Sequence, residues 1–338
     1  MRKIIDFHAH IFNPKIAHLA IANLEHHYGM PWECLGTFTD MREEMEKSGF
    51  YRAVIFSTPT KPTQVVINND FLFDLRDERF IVFGSVHPDF EDVKNEIQRI
   101  KNHGLKGFKF HPDFQAFNID DDKALFMYEE IGSDYPIVLH VGDKKLDFSN
   151  PERLSKVLEK FPEHKFIAAH MGGYSVWDKE AKYLVGKNVW FDTSSTLWEV
   201  APEKMVDMIR AHGVDRVLFG SDYPAISLMR EAEKIEALSL TEEEKEKIFY
   251  RIPEDKLFTP VESKRLKVLA KQIKKQKGTV KFLPLILIFV ALVLYFLLLM
   301  ILFYLKLEIN TFYLLAFYNP LIILRIIYLR PDKVASDQ

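Results

Sequence analysis

The sequence has one cysteine, Cys34, in 338 residues. A disulfide within the chain is thereby excluded, and so is a zinc centre built from thiolates. No histidine and asparagine constellation accompanies Cys34, so it reads as a small apolar residue and not as a nucleophile. No Gly-x-Gly-x-x-Gly follows the first apolar run and there is no Walker loop, which leaves nucleotide binding without support. A signal peptide's apolar core is missing too. Met1-Arg2-Lys3 is followed by only two apolar residues before Asp6, so the N-terminal part is expected to face the cytoplasm.

Charge is unevenly spread. From Glu262 onward there are 12 Lys and Arg against 4 Asp and Glu, a surplus of +8 that leaves −11 for residues 1–261. So acidic a body is a poor partner for nucleic acid and suits a small-molecule substrate.

Between residues 3 and 258 short apolar runs alternate with amphipathic stretches. The runs at 4–8, 53–57, 80–86, 107–110, 137–140, 166–170, 189–192 and 216–220 are rich in Val, Ile, Phe and Ala, as parallel strands buried on both faces are. Helical spacing marks 39–49, with Thr39 as cap, and 91–103. It also marks 151–160, where Asn150 caps and Pro151 opens the helix, then 202–212, 231–237 and 242–250. Eight strands with intervening helices predict an α/β fold of the (β/α)8 TIM-barrel class, with an open doubly wound sheet as the alternative. The stretch 11–37 reads as a long loop forming a lid or substrate wall.

In a barrel the chemistry sits at the C-terminal ends of the strands. His8 and His10 end the first strand, two apart and so on one side of it. Alone, such a pair suits a polar strand end as well as a metal site. Further strand ends carry Lys109 and His111, His140, His170, and Asp222 in Gly220-Ser221-Asp222-Tyr223-Pro224. Five of the 12 histidines stand at strand ends, whereas a purely structural role would scatter them. Asp192 and Ser194 follow the seventh strand beside the pocket. His103 and His212 precede glycines at helix ends, where a cation suits the helix dipole. His164 falls in a turn, and His18, His26 and His27 belong to the lid.

These motifs resemble the amidohydrolase superfamily, and within it the family-2 branch that includes aminocarboxymuconate-semialdehyde decarboxylase. The matching motifs are Asp6-x-His8-x-His10, His140-x-Gly142, Ala169-His170-x-Gly172-Gly173 and Gly220-Ser221-Asp222-Tyr223-Pro224. The likeness spans about residues 3–250 and implies one divalent metal ion, zinc first with manganese or iron as alternatives, held by His8, His10, His140 and Asp222. It implies His170 as the nearby acid and base, with Asp222 sharing the proton handling. A metal can lower the pKa of bound water to about 7, and an imidazole titrating near neutrality can shuttle its proton. Lys109 and His111 are candidates for binding a substrate carboxylate or a second metal. The closing stretch Arg251-Ile252-Pro253-Glu254-Asp255-Lys256-Leu257-Phe258 departs from the family's Asn-Ala before a final Leu-Phe, which bears on packing more than on the site.

Residues 1–260 thus form the expected barrel domain, and 261–281 a basic juxtamembrane linker, with eight basic and no acidic residues between 264 and 281. Residues 282–305 contain no charge. As a helix they would reach about 36 Å, enough for a hydrocarbon core of about 30 Å. A second apolar run at 309–329 reads as a second transmembrane or a re-entrant helix. The basic cluster places the barrel on the cytoplasmic side and can hold anionic lipid headgroups. The expected activity is that of a membrane-tethered hydrolase directing metal-activated water at an ester, lactone or amide carbonyl. The alternative is non-oxidative decarboxylation of an unsaturated or aromatic acid. A third reading is an inactive membrane scaffold, which would not need its set of strand-end ligands.

Overall fold

The computed structural model describes residues 2–257, apart from Arg76 and residues 179–180 and 254–256. The basic linker and both apolar runs lie outside the described residues. Among the described residues no helix is long and apolar enough to cross a membrane.

Eight strands occur where the apolar runs predict them: β1 Ile5–His10, β2 Arg52–Phe56, β3 Phe80–Phe83, β4 Phe108–Phe110, β5 Ile137–Leu139, β6 Phe166–Ala168, β7 Trp190–Asp192 and β8 Val217–Leu218. They pair in parallel as β1-β2-β3 and β4-β5-β6-β7-β8. Two seams close the ring. At one, Gly84 N–H donates to the Gly107 carbonyl and Lys109 N–H to the Gly84 carbonyl, each at 2.9 Å. At the other, Phe7 N–H donates to the Phe219 carbonyl at 2.8 Å and His10 N–H to the Tyr223 carbonyl at 2.6 Å. This is the TIM-barrel closure and not the open sheet.

The strands explain their own burial. Phe7, Val54, Ile81, Val138, Ile167 and Leu218, from six strands, share one apolar cluster. Residues alternating with them, such as Ile55, Phe108, Ile137 and Phe166, join the helices in a second. Two-residue periodicity thus fills the barrel with one set and glues the helices on with the other. The atypical closing stretch still packs: Ile252 and Leu257 are buried in the cluster that holds Phe7.

The helices are α1 Ala17–Tyr28, α2 Phe38–Ser48, α3 Val65–Phe73, α4 Val93–Asn102, α5 Pro112–Gln115, α6 Asp122–Ile131, α7 Pro151–Lys160, α8 Pro202–His212, α9 Leu228–Glu236 and α10 Glu242–Glu246. α7 and α8 have the expected bounds. Asn150 caps α7, its side chain accepting from Glu152 N–H at 2.7 Å. The cap of α2 is Thr37 and not Thr39, because Thr37 and Asp40 form a reciprocal capping box. The stretch 11–37 is not a plain loop, since it contains α1, ended by Gly29 in the left-handed conformation.

Candidate active site and metal centre

The first and last strands build one corner of the site. The register of β1 against β2 shifts between Asp6 and Ala9, an irregularity of the kind that re-aims side chains beside functional sites. His8 and His10 still meet, with Nε2 atoms 3.2 Å apart. After β8 the chain is sewn to β1. Asp222 N–H donates to the His8 carbonyl at 2.8 Å. Asp6 Oδ1 accepts from His8 N–H at 3.0 Å and from Ser221 N–H at 2.9 Å, and Oδ2 accepts from the Ser221 hydroxyl at 2.5 Å. Burial outweighs these bonds and pushes the Asp6 carboxyl up to about 7. A Cβ at Gly220 would lie 2.8 Å from the Cβ of His8, so only glycine allows this approach.

Asp222 Oδ1 consequently sits 3.4 Å from His8 Nε2 and 3.5 Å from His10 Nε2. Nitrogen and oxygen ligands about 2.0–2.2 Å from a common ion are spaced by roughly 3.0–3.5 Å. The three separations fit that spacing, and His8, His10 and Asp222 form one of three groups able to hold an ion among the described residues.

Behind three of the rings stands a hydrogen-bond acceptor. His8 Nδ1 faces Asp192 Oδ2 at 2.8 Å, His140 Nε2 faces the Gly142 carbonyl at 3.0 Å, and His170 Nδ1 faces the Ser194 carbonyl at 3.1 Å. Neither a carbonyl nor an ionised carboxylate can donate, so the ring nitrogen opposite carries the proton. His8 Nε2, His140 Nδ1 and His170 Nε2 are left with inward lone pairs. Burial holds the imidazoles of His10 and His140 well below the usual histidine range and that of His170 down to about 4. All three stay neutral and able to coordinate. His140 Nδ1 and His170 Nε2 are 3.0 Å apart, and two lone pairs so close repel unless a proton or a metal cation lies with them. The donor set therefore fits a divalent metal.

The four ligands implied by the resemblance are brought together as three plus one. His8, His10 and Asp222 converge, while His140 stands against His170. Lys109 is fully buried, its Nζ 3.2 Å from His8 Nε2 and 4.9 Å from the centre of the Phe56 ring. Among the described residues no carboxylate forms an ion pair with it. Burial lowers its ammonium to about 8. The ring of His111 stacks on that of His140 at 4.0 Å and 12°. Lone pairs lie in the ring planes, and near-parallel planes do not converge on one ion, so His111 and His140 are poorly set to share a second metal. The side chain of His111 instead accepts from Phe114 N–H at 3.4 Å, at the start of α5.

Several residues gain a place that the sequence marked weakly or not at all. Asp192 backs His8. Ser195 donates to Asp222 Oδ2 at 2.5 Å. Burial pushes the Asp222 carboxyl up, but His8, His170 and the Ser195 bond outweigh it and hold it below its ordinary value. Aromatic side chains wall the site. Tyr28, at the end of α1, meets Phe114 at 6.2 Å and Tyr174 at 5.9 Å, and Tyr174 lies 5.3 Å from the His170 ring. Left-handed backbone concentrates here, at His170 (φ 57°), Met171 (52°), Ser195 (47°) and Asp222 (63°). Each such residue costs on the order of 1–3 kcal/mol, as strain held at functional sites does.

A family model described as amidohydrolase matches residues 5–254, and the chain belongs to that family, the amidohydrolase family 2. It is an enzyme of the amidohydrolase superfamily. No curated protein matches the chain. Solved structures share the fold. The 2,6-dihydroxybenzoate decarboxylase from Rhizobium is 18% identical over 74% of this chain and 96% of its own, with a TM-score of 0.57. The 5-carboxyvanillate decarboxylase from Novosphingobium aromaticivorans, complexed with manganese and 4-hydroxy-3-methoxy-5-nitrobenzoic acid, is 17% identical over 75% and 95%, with a TM-score of 0.58. An uncharacterized TIM-barrel protein from Bordetella bronchiseptica is 20% identical over 75% and 97%, with a TM-score of 0.56.

Proposed function

We propose that the chain is a metal-dependent non-oxidative decarboxylase of an aromatic or otherwise unsaturated carboxylic acid. Lys109 carries the reading. A buried cation with no carboxylate in direct ion-pair contact among the described residues, only the more distant charges of Asp192 and Asp222, is costly, and the carboxylate of a substrate would supply its partner beside the donor set. The walls of Tyr28, Phe114 and Tyr174 suit a planar molecule, and the solved structures of like fold include the 2,6-dihydroxybenzoate and 5-carboxyvanillate decarboxylases.

His8, His10 and Asp222 would hold one divalent ion, with His140 presenting Nδ1 beside them. Zinc suits an imidazole-rich set, and manganese is the ion of the 5-carboxyvanillate enzyme. When bound, the ion supplies positive charge that polarises substrate oxygens. The rest falls to the chain. Lys109 holds the carboxylate. His170, oriented by its Nδ1–H bond to the Ser194 carbonyl, takes a proton from solvent on its inward Nε2 and passes it to the electron pair left on the carbon when the bond to carbon dioxide breaks, with Asp222 beside it. The aromatic walls keep water out.

Hydrolysis of an ester, lactone or amide could use the same residues, and the family model's description favours it. A panel of aromatic and unsaturated acids, lactones and esters separates the two: carbon dioxide release supports decarboxylation, and hydrolysis without it supports the other. His170→Asn is expected to lower turnover by about 10²–10⁴ with far-UV circular dichroism unchanged; equal turnover would remove His170 from the mechanism.

We also propose that residues 282–305 tether the enzyme to a membrane, with the barrel facing the cytoplasm. The 24 uncharged residues and the preceding basic cluster support this.

A further inference from the structure

The chemistry proposed above does not use Asp192, yet this fully buried carboxylate bonds both the His8 ring and the backbone of His170. Its two oxygens have unequal work. Oδ2 accepts one bond, from His8 Nδ1–H at 2.8 Å. Oδ1 accepts three: from His170 N–H at 3.1 Å, from Ser194 N–H at 3.1 Å and from the Ser194 hydroxyl. One side chain at the end of β7 therefore fixes which nitrogen of His8 points inward and also seats the backbone that carries His170.

We infer that Asp192 is a positioning residue that sets the tautomer of His8 and so makes His8 Nε2 available as a metal ligand. The inference rests on the reading of His8 as a ligand, and not on decarboxylation. Asparagine at this position has nearly the same shape but only one acceptor. The three donors around Oδ1 claim that acceptor, which turns the amide N–H2 toward His8 Nδ1. The ring nitrogen must then accept, and its proton moves to Nε2, the atom 3.2 Å from His10 Nε2 and 3.4 Å from Asp222. Ser194 Oγ, 3.2 Å from Nδ1, is a weaker alternative acceptor, since its own proton goes to Oδ1.

The test is nitrogen-15 NMR of the histidine rings in the metal-free full chain above pH 7, with manganese and zinc titrations alongside. Wild-type His8 is expected to carry its proton on Nδ1, and Asp192→Asn to carry it on Nε2. Metal affinity should fall 10- to 100-fold in the variant, as loss of a ligand's outer partner typically does, with circular dichroism unchanged. A wild-type His8 protonated on Nε2 would overturn the inference, whether or not the variant folds. So would an unswitched tautomer in a folded variant. A switched tautomer with unchanged affinity would overturn it as well, by removing His8 from the ligand set. Neither result depends on which substrate the enzyme takes.

Discussion

His212 offers a residue-scale test of what burial does to an imidazole away from the site. Its Nε2 donates to the Val189 carbonyl at 2.9 Å, its Nδ1 accepts from Gly186 N–H at 3.2 Å, and its ring stacks on Phe191 at 3.7 Å. Burial lowers it to about 4. In the unfolded chain it would titrate near 6.5, so between pH 6.5 and 4 the unfolded state binds the extra proton, and stability is lost as pH falls through that window. His212→Gln is expected to reduce the acid-side slope of unfolding free energy by up to one proton, about 1.4 kcal/mol per pH unit. Urea melts at several pH values would show it, and identical slopes would contradict it. At this scale much of the site was legible, because histidines at strand ends announce themselves. What fixes their tautomers was not. Two of the three partners are the backbone carbonyls of Gly142 and Ser194, which no residue pattern encodes. The third, Asp192, is 184 positions from His8. Tyr28 falls in the stretch 11–37 read as a lid, but its meeting with Tyr174 became visible only when α1 and the turn after β6 were placed side by side.

Among the elements, α7 was the easiest to read, since Asn150-Pro151 supplies both cap and first residue. Asn150→Ala is expected to cost about 1 kcal/mol and to leave turnover unchanged; a thermal melt beside an activity assay measures both. A larger loss, or lost turnover, would mean that Asn150 does more than cap. The longer helices that escaped notice lack such marks. α1 follows Ile16, which gives no side-chain cap, and it exposes Leu19 to 66%, so it shows no clean apolar face. In α3 the run Val65-Val66-Ile67 precedes two asparagines, and Val66 and Ile67 remain exposed. α6 begins after Asp121, whose side chain makes no capping bond. Strands fared better because a parallel strand buried on both faces must be apolar throughout.

At the scale of the molecule, the chain divides after Val261, close to the change in composition at 261–281. If the following apolar run tethers the enzyme, the full chain should stay with membranes through alkaline carbonate, and a chain ending at Val261 should not. Release of the full chain would reject the tether. The barrel itself was legible from the count and order of eight strands. Its closure was not, because a seam consists of backbone bonds such as Phe7 N–H to the Phe219 carbonyl.

That seam has a consequence for the life of the chain. His8 and His10 leave the ribosome early, but Asp222 follows more than two hundred residues later, and Asp6 grips Ser221 only once β1 has met β8. Until then the imidazoles have no carboxylate opposite them and no Asp192 behind them. The three donors therefore come to coordination spacing in the same event that completes the ring. An ion bound there would act as a clasp on the finished barrel, and uptake of metal by a nascent or refolding chain would time the moment when its two ends meet.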